Sequence, residues 1–254
     1  HRSTWSLLFL LGVLALLRRW AWLAELWRQP RQVLLFAATA LLLSVNWLVY
    51  VYAVAAGQVL DASLGYFINP LVSVLLAVMV LRERLKPAQW LAVALAAAGV
   101  LWLTLQAGRL PWVALALAVS FGIYGLLRKT MPAGSVVGLM IETALCTPIT
   151  LAYIAWSHAS SGRDLPGYPG DVHAWLALSG IVTATPLLLF AAAARRLQLS
   201  TLGFMQYMSP TIQLLIAVGV FREPFTVDRQ ITFAAIWLAV ALFVFDQFRA
   251  AHAR

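Results

Sequence analysis

Long runs of apolar residues, separated by short polar or basic connections, account for most of the chain. Nine such runs span residues 3–17, 33–56, 60–81, 88–106, 110–127, 135–157, 172–194, 198–221 and 227–248. Most reach the ~20 residues that a helix needs to cross a bilayer. The runs do not show the strict alternation of a membrane β-strand. The pattern therefore predicts an all-α integral membrane protein with nine transmembrane helices.

The composition supports a membrane protein. Of 254 residues, 63% are hydrophobic and only 11% are charged, whereas about a quarter of the residues in a soluble domain are charged. The net charge of +9 could point to nucleic acid. However, the basic residues form short clusters between apolar runs, which membrane topology explains better. If the C-terminus is cytoplasmic, thirteen of the 18 Lys and Arg residues lie on the cytoplasmic side, a bias that fixes this orientation.

One phrase occurs twice in the chain. The first repeat phrase, LGYFINPLVSVLLAVMVLRERL (64–85), resembles the second, LGFMQYMSPTIQLLIAVGVFREPF (202–225). Pro70 and Pro210 are 140 positions apart, and slightly upstream Ser63 and Thr201 are 138 apart. In this register runs 2, 3 and 4 correspond to runs 7, 8 and 9, and run 1 corresponds to run 6. We interpret the Arg-Glu pairs at 82–83 and 222–223 as interfacial anchors.

Run 5 has its counterpart ahead of residue 1, so we predict one further N-terminal helix. The intact protein would then have ten helices in two repeats of five: 1–106, lacking its first helix, and 110–249. Because five is odd, the repeats must enter the membrane in opposite directions. Inverted repeats around a midplane site are the architecture of secondary transporters. The alternative is gene duplication without a mechanical role.

The sequence resembles the drug/metabolite transporter superfamily, in its EamA branch and there the RarD-type permeases named for chloramphenicol sensitivity. The resemblance rests on HRSTWSLLFL (1–10), NWLVYVYAV (46–54), ASLGYFINPLVSVLL (62–76), LRERLKPAQWLAVALAAAGV (81–100), LGFMQYMSPTIQLLIAV (202–218) and FREPF (221–225). It implies a permease of the bacterial inner membrane with cytoplasmic termini, in which the first helix of the family helps to line a central cavity. It does not name a solute.

Polar residues inside the apolar runs indicate a solute-binding site, because such residues are costly in a bilayer. Tyr66, Asn69 and Ser73 share one helical face. An offset of 140 gives Gln206, Ser209 and Gln213, with Tyr207 beside them. We predict that these residues line a cavity; the alternative is polar contact between packed helices.

A second group of candidate solute-binding residues lies on runs 2 and 5. Asn46 and Tyr50 are one turn apart, with Trp47 beside them, and would give a solute an amide and an aromatic wall. Ser120 and Tyr124 repeat the spacing more weakly. Trp47 could instead be a lipid-facing or core residue.

Two further features concern the mechanism. Pro70 and Pro210 remove a backbone hydrogen bond and predict helix kinks, which would serve as a gate or as a packing bend. Glu142 and Arg2 are 140 positions apart, so they could form a coupling or salt-bridge pair; the alternative is separate placement near the headgroups.

The expected function is movement of a small organic solute, a drug or metabolite, with efflux as the expected direction. The alternatives are a channel or lipid scramblase, and less readily an intramembrane enzyme, because acids and histidines are scarce in the apolar runs. We expect no catalytic residue, cofactor or metal, since His158 and His173 do not have a metal-ligand spacing. The expected partners are the solute, membrane lipids, a coupling proton or ion, and a second copy of the chain, but not nucleic acid.

Overall fold

The fold consists of helices joined by short turns. The computed structural model describes residues 2–17, 29–106, 108, 112–161, 170–219, 222 and 225–252. The helices are α1 (Arg2–Leu16), α2 (Pro30–Ala55), α3 (Val59–Met79), α4 (Pro87–Gln106), α5 (Trp112–Thr130), α6 (Ser135–Ser161), α7 (Gly170–Arg196), α8 (Leu199–Met205), α9 (Met208–Gly219) and α10 (Val227–His252). The described residues contain no strand. The predicted all-α class is confirmed.

Within the described residues, seven stretches are long and apolar enough to cross a membrane. They are Pro30–Ala55, Ala62–Met79, Pro87–Gln106, Trp112–Thr130, Ser135–Trp156, Ala174–Arg196 and Val227–Asp246. The apolar helix Ser3–Leu16 is shorter. The chain is therefore a multi-pass membrane protein, and the count of nine crossings stays a prediction.

The predicted run 198–221 differs from expectation because it is divided into two helices. α8 ends at Met205 and α9 begins at Met208. Pro210 has no N–H to donate to the carbonyl of Gln206, and its ring would clash with that carbonyl in a regular helix. The chain forms tighter bonds instead: the N–H of Gln206 donates to Gly203 O at 3.1 Å, and that of Ser209 to Gln206 O at 3.1 Å. By contrast, α3 continues through Pro70.

The chain divides into two compact units. Unit 1 comprises His1–Ser44 and Leu127–Arg196, and unit 2 comprises Val45–Leu126 and Leu197–Arg254. In unit 1, α1 packs on α6 and α7. A Cβ on Gly180 would lie 2.6 Å from the backbone of Trp5, and the Ser6 hydroxyl donates to Gly180 O at 3.0 Å. Glycine therefore permits the close approach of α1 and α7, as small residues do between membrane helices.

In unit 2, α4 packs along α10 in the antiparallel direction. Near the middle of α4, the Thr232 hydroxyl donates to Gly99 O at 3.3 Å. Just before α4, Lys86 Nζ lies 3.4 Å from Asp246 Oδ2. Residues later in α4 therefore contact residues earlier in α10, which makes the two helices antiparallel.

The helices that carry the repeat phrases are also antiparallel in unit 2. Glu83, after α3, reaches Leu199 at the start of α8, whereas Pro70, in the middle of α3, meets Gly203. A Cβ on Gly203 would lie 2.9 Å from Pro70 O, so glycine allows the backbone of α8 to approach the proline turn of α3.

Candidate functional site

A polar cluster joins the two repeat phrases inside unit 2. Asn69 Nδ2 donates to Gln206 Oε1, and Gln206 Nε2 donates to Ser73 Oγ at 3.4 Å. Asn69 and Ser73 are buried, with 8% and 2% of their surface exposed. The structure therefore brings together three residues that the sequence placed on corresponding faces. The alternative interpretation, polar contact between packed helices, also predicts these hydrogen bonds.

Asn69, which belongs to this cluster, and Tyr207, the residue after Gln206, each have a buried polar atom without a partner among the described residues. Asn69 Oδ1 and the Tyr207 hydroxyl make no hydrogen bond to the described residues. Tyr207 lies in the turn between α8 and α9, is 2% exposed and has its ring 6.2 Å from that of Phe204. Burying an unsatisfied polar atom costs about 1–3 kcal/mol. A hydrogen-bonding solute or a water molecule would remove that cost.

Asn46 makes a second polar contact, between α2 and α5. Its Nδ2 donates to Leu117 O at 2.9 Å and to Ser120 Oγ at 2.8 Å. Ser120 in turn donates to Ala116 O at 2.7 Å. These bonds use both amide hydrogens of Asn46, so its remaining hydrogen-bonding capacity toward a solute is the side-chain carbonyl.

Aromatic side chains lie near the two polar groups. The rings of Trp47 and Tyr50 on α2 meet edge to face at 5.9 Å. Tyr66 is 37% exposed, whereas Tyr124 is fully buried with its ring 5.8 Å from Phe121. Trp47, Tyr50 and Tyr66 thus retain accessible aromatic surface, and Tyr124 is a core residue.

The other predicted site residues are less well placed. Ser209 is exposed and follows the turn that holds Gln206. The side chain of Gln213 lies outside the described residues, so its predicted role stays a prediction.

Glu83 has a contact that the sequence reading missed. Its Oε1 accepts the N–H of Leu199 at 2.8 Å, and its Oε2 accepts the N–H of Ser200 at 3.1 Å and the Ser200 hydroxyl at 2.6 Å. A carboxylate in this position satisfies the free N–H groups at the start of α8 and complements the helix dipole. Glu83 therefore caps the start of α8, just ahead of the second repeat phrase; its role as an interfacial anchor stays a prediction.

Arg82, the residue before Glu83, has an unusual backbone conformation, and so does its counterpart in the second repeat phrase. Arg82 and Arg222, 140 positions apart, both have φ of 54°, in the left-handed region that non-glycine residues seldom adopt. At the first of these positions, the turn directs the next residue toward the start of α8.

Unit 1 contains a buried ion pair. Arg128 Nη1 lies 3.7 Å from Glu142 Oε1, and the Thr39 hydroxyl donates to the same oxygen at 2.7 Å. Arg128 and Glu142 are 0% and 2% exposed. The Arg128 Nη2 also donates to Ser135 O at 3.3 Å.

The burial of Arg128 was not predicted from the sequence, because a charged residue near a helix end is normally expected to be exposed to water. The signal that could have found it is the Gly134-x-x-x-Gly138 pair. A Cβ on Gly138 would lie 1.9 Å from Arg128 Nη1, so glycine makes the room for the guanidinium. The side chain of Arg2 lies outside the described residues, and its pairing with Glu142 stays a prediction.

The described residues contain no group of three or more His, Cys, Asp or Glu side chains that could hold a metal ion. The side chains of His158 and His173 lie outside that part of the chain.

Comparisons with known proteins agree with this architecture. A model of the EamA-like transporter family matches residues 2–105. The chain is 45% identical to an uncharacterized transporter of Vibrio cholerae over 100% of its own length and 84% of that protein. It is 43% identical to Protein RarD of Escherichia coli, covering 97% of this chain and 83% of that one.

Two more distant matches extend the comparison. A Pseudomonas aeruginosa protein named chloramphenicol-sensitive protein RarD is 32% identical over 98% of this chain and 84% of its own length. A protein crystal structure superposes with a TM-score of 0.66 at 23% identity, covering 98% of this chain and 87% of that chain; this likeness concerns the fold alone. Together with the helical architecture, the similarities over nearly all of this chain establish that it belongs to the EamA-like transporters of the drug/metabolite transporter superfamily, in the RarD subfamily, and is a multi-pass transporter of the bacterial inner membrane.

Proposed function

We propose that the protein moves a small organic solute by alternating access of two inverted repeats, 1–106 and 110–249, with efflux as the direction. The carrying observation is the contact of Asn69 and Ser73 with Gln206, which joins corresponding faces of the two repeat phrases. The proposal includes nine crossings in this chain and a cytoplasmic C-terminus.

The direction of the paired helices supports this proposal. Counterparts in inverted repeats must cross the membrane in opposite senses, and both α3 with α8 and α4 with α10 are antiparallel. Ala96 and Ile236 are 140 positions apart, lie in the middle of α4 and α10 and are both fully buried. If a two-fold axis relates the repeats, equivalent residues such as these two would meet where α4 and α10 cross.

The unsatisfied atoms suggest what the solute offers. Asn69 Oδ1 can only accept a hydrogen bond, whereas the Tyr207 hydroxyl can donate or accept. Trp47, Tyr50 and Tyr66 supply aromatic surface nearby. We propose a compact amphipathic solute that has an apolar or aromatic body and at least one hydroxyl or amide N–H, in keeping with sites that are mostly apolar with few polar anchors.

The remaining predicted residues complete the proposed lining. Asn46 and Ser120 would hold α2 against α5, while Tyr124 supports them from the core. Ser209 and Gln213 would extend the polar stripe beyond the proline turn. The pair Arg2 and Glu142 would respond to a coupling proton or ion.

The test is transport by the purified protein in liposomes. Chloramphenicol is the first probe, because a relative's name refers to it, and a panel of amphipathic alcohols and amides follows, with and without a pH gradient. We expect saturable uptake and counterflow. Asn69→Leu, which removes the accepting oxygen, should reduce the initial rate at least about tenfold, the effect of losing a buried hydrogen bond worth about 1.4 kcal/mol or more.

The control is Thr104→Val in α4; among the described residues, its hydroxyl bonds to the carbonyl of Val100 in its own helix. This variant should transport normally. Flux that does not saturate would favour a channel, and movement of fluorescent lipids between leaflets would favour a scramblase. Chemical conversion of a probe would indicate an enzyme. Equal rates for Asn69→Leu and Thr104→Val would reject the proposed site.

A further inference from the structure

Unit 1 contains a cavity separate from the solute site of unit 2. Its volume is about 380 Å³. The apolar side chains of Leu17, Val136, Val137 and Ala192 form one part of its lining, and Arg195 and Arg196 form another. None of these residues belongs to the proposed solute site, so the cavity requires its own explanation.

The basic side of the cavity is held in place by the backbone of unit 1. Arg195 Nη1 donates to Ala133 O at 2.5 Å, and Nη2 donates to Pro132 O at 3.1 Å. Lys129 Nζ lies 3.5 Å from Ala194 O and adds a third cation next to the pair. These bonds fix Arg195 without neutralising its charge, because backbone carbonyls carry no net charge.

The positive charge is not balanced by the described part of unit 1. Arg196 is exposed and has no hydrogen bond or ion pair to the described residues. Among the described side chains of this unit, Glu142 is the one carboxylate, and it is buried against Arg128. An anion from outside the chain would therefore meet at least one guanidinium whose donors are available.

We propose that this cavity binds the headgroup phosphate of an anionic phospholipid, with part of an acyl chain on the apolar wall. Arg195 and Arg196 end α7, a helix that is apolar enough to cross the membrane, and therefore lie at the depth of the headgroups. Basic pockets between membrane helices bind anionic headgroups, and a guanidinium matches phosphate through paired hydrogen bonds. The combination of two arginines with four apolar residues suits a lipid better than a free anion.

The test measures lipid binding by the purified full chain in neutral detergent, using native mass spectrometry and thermal unfolding. The probes are phosphatidylglycerol, phosphatidylcholine and inorganic phosphate. We expect phosphatidylglycerol to bind and to raise the melting temperature, and the other two to do neither. Arg196→Gln should weaken phosphatidylglycerol binding about fivefold, the effect expected for one cation at a membrane surface, without unfolding the protein.

Two further variants make the result specific to the cavity. Ala192→Leu fills the cavity without a change in charge and should also weaken phosphatidylglycerol binding. Arg84→Gln removes an exposed arginine of unit 2 and should leave binding unchanged.

The proposal is overturned if Arg84→Gln and Arg196→Gln weaken binding equally, which would indicate non-specific charge attraction. It is also overturned if Ala192→Leu binds like the parent, or if inorganic phosphate stabilises the protein as much as the lipid does. Because the readout is lipid binding, a failure here leaves the transport proposal intact.

Discussion

At the scale of single residues, individual glycines and carboxylates determine contacts between helices that hydropathy does not predict. Gly138 carries the clearest stability prediction. A Cβ there would meet the Arg128 guanidinium at 1.9 Å, so this fully buried side chain would have to shift, and its contact with Glu142 would change. Gly138→Ala should therefore lower the free energy of unfolding by about 2–3 kcal/mol, through overpacking and a weakened buried ion pair. Reversible unfolding in detergent measures this change.

Gly12 provides the matched control for that variant. It lies in helix α1, and a Cβ there would meet nothing within 4 Å. Gly12→Ala should be neutral or slightly stabilising, because alanine favours a helix more than glycine does. Equal loss of stability in both variants would contradict the role assigned to Gly138.

Glu83 carries a second prediction at this scale. Glu83→Gln removes the charge and one of the two oxygens that accept N–H groups of α8, so it should destabilise the protein by about 1–2 kcal/mol. Ser200→Ala should cost less. A double-mutant cycle should give a non-zero coupling energy between the two sites; independent effects would show that the 2.6 Å contact contributes little.

The residue scale also shows where prediction from the sequence works. Asn69, Ser73 and Gln206 were predicted on corresponding faces because helical spacing and the repeat offset are visible in the sequence. Arg128 was not predicted, because its burial depends on Gly138, which comes from another helix. The contact of Glu83 with α8 was missed for the same reason: it joins residues 116 positions apart.

At the scale of secondary-structure elements, most helix boundaries follow from the apolar runs. The run 33–56 corresponds to Pro30–Ala55, and the run 227–248 corresponds to Val227–His252. The break in the run 198–221 could not be predicted from hydropathy, because the residues on both sides of the turn at Gln206 and Tyr207 are mostly apolar and the run looks continuous. Pro210 was a visible signal, but Pro70 at the corresponding position leaves its helix continuous.

This difference between the two prolines leads to a third prediction. Pro210→Ala restores an N–H for the Gln206 carbonyl, so α8 and α9 should tend toward one helix. Backbone amides at 207–209 and 211 should exchange more slowly with deuterium, and transport should fall because Gln206 would leave Ser73 and Asn69. Pro70→Ala is the control and should change exchange little, since α3 is already continuous; the reverse ranking of the two variants would contradict the assigned cause of the break.

At the scale of the whole molecule, the remaining question is whether the repeats enter the membrane in opposite directions. Gln58 and Arg196 occupy corresponding turns, 138 positions apart, after α2 and at the end of α7. If the repeats are inverted, these two positions lie on opposite sides of the membrane. The excess of Lys and Arg on the predicted cytoplasmic side predicts that Arg196 is inside and Gln58 outside.

Thiol labelling of intact cells decides this directly, because Cys146 is the single cysteine of the chain. In a Cys146→Ala background, Gln58→Cys should react with a membrane-impermeant maleimide in cells whose outer membrane alone has been made permeable. Arg196→Cys should react only after the inner membrane is opened as well, and the Cys146→Ala parent should not react in either case. Labelling of both positions from the same side would mean that the repeats are parallel. The antiparallel pairing of α3 with α8 and α4 with α10 would then need an explanation other than inversion, and alternating access by two inverted halves would lose its structural basis.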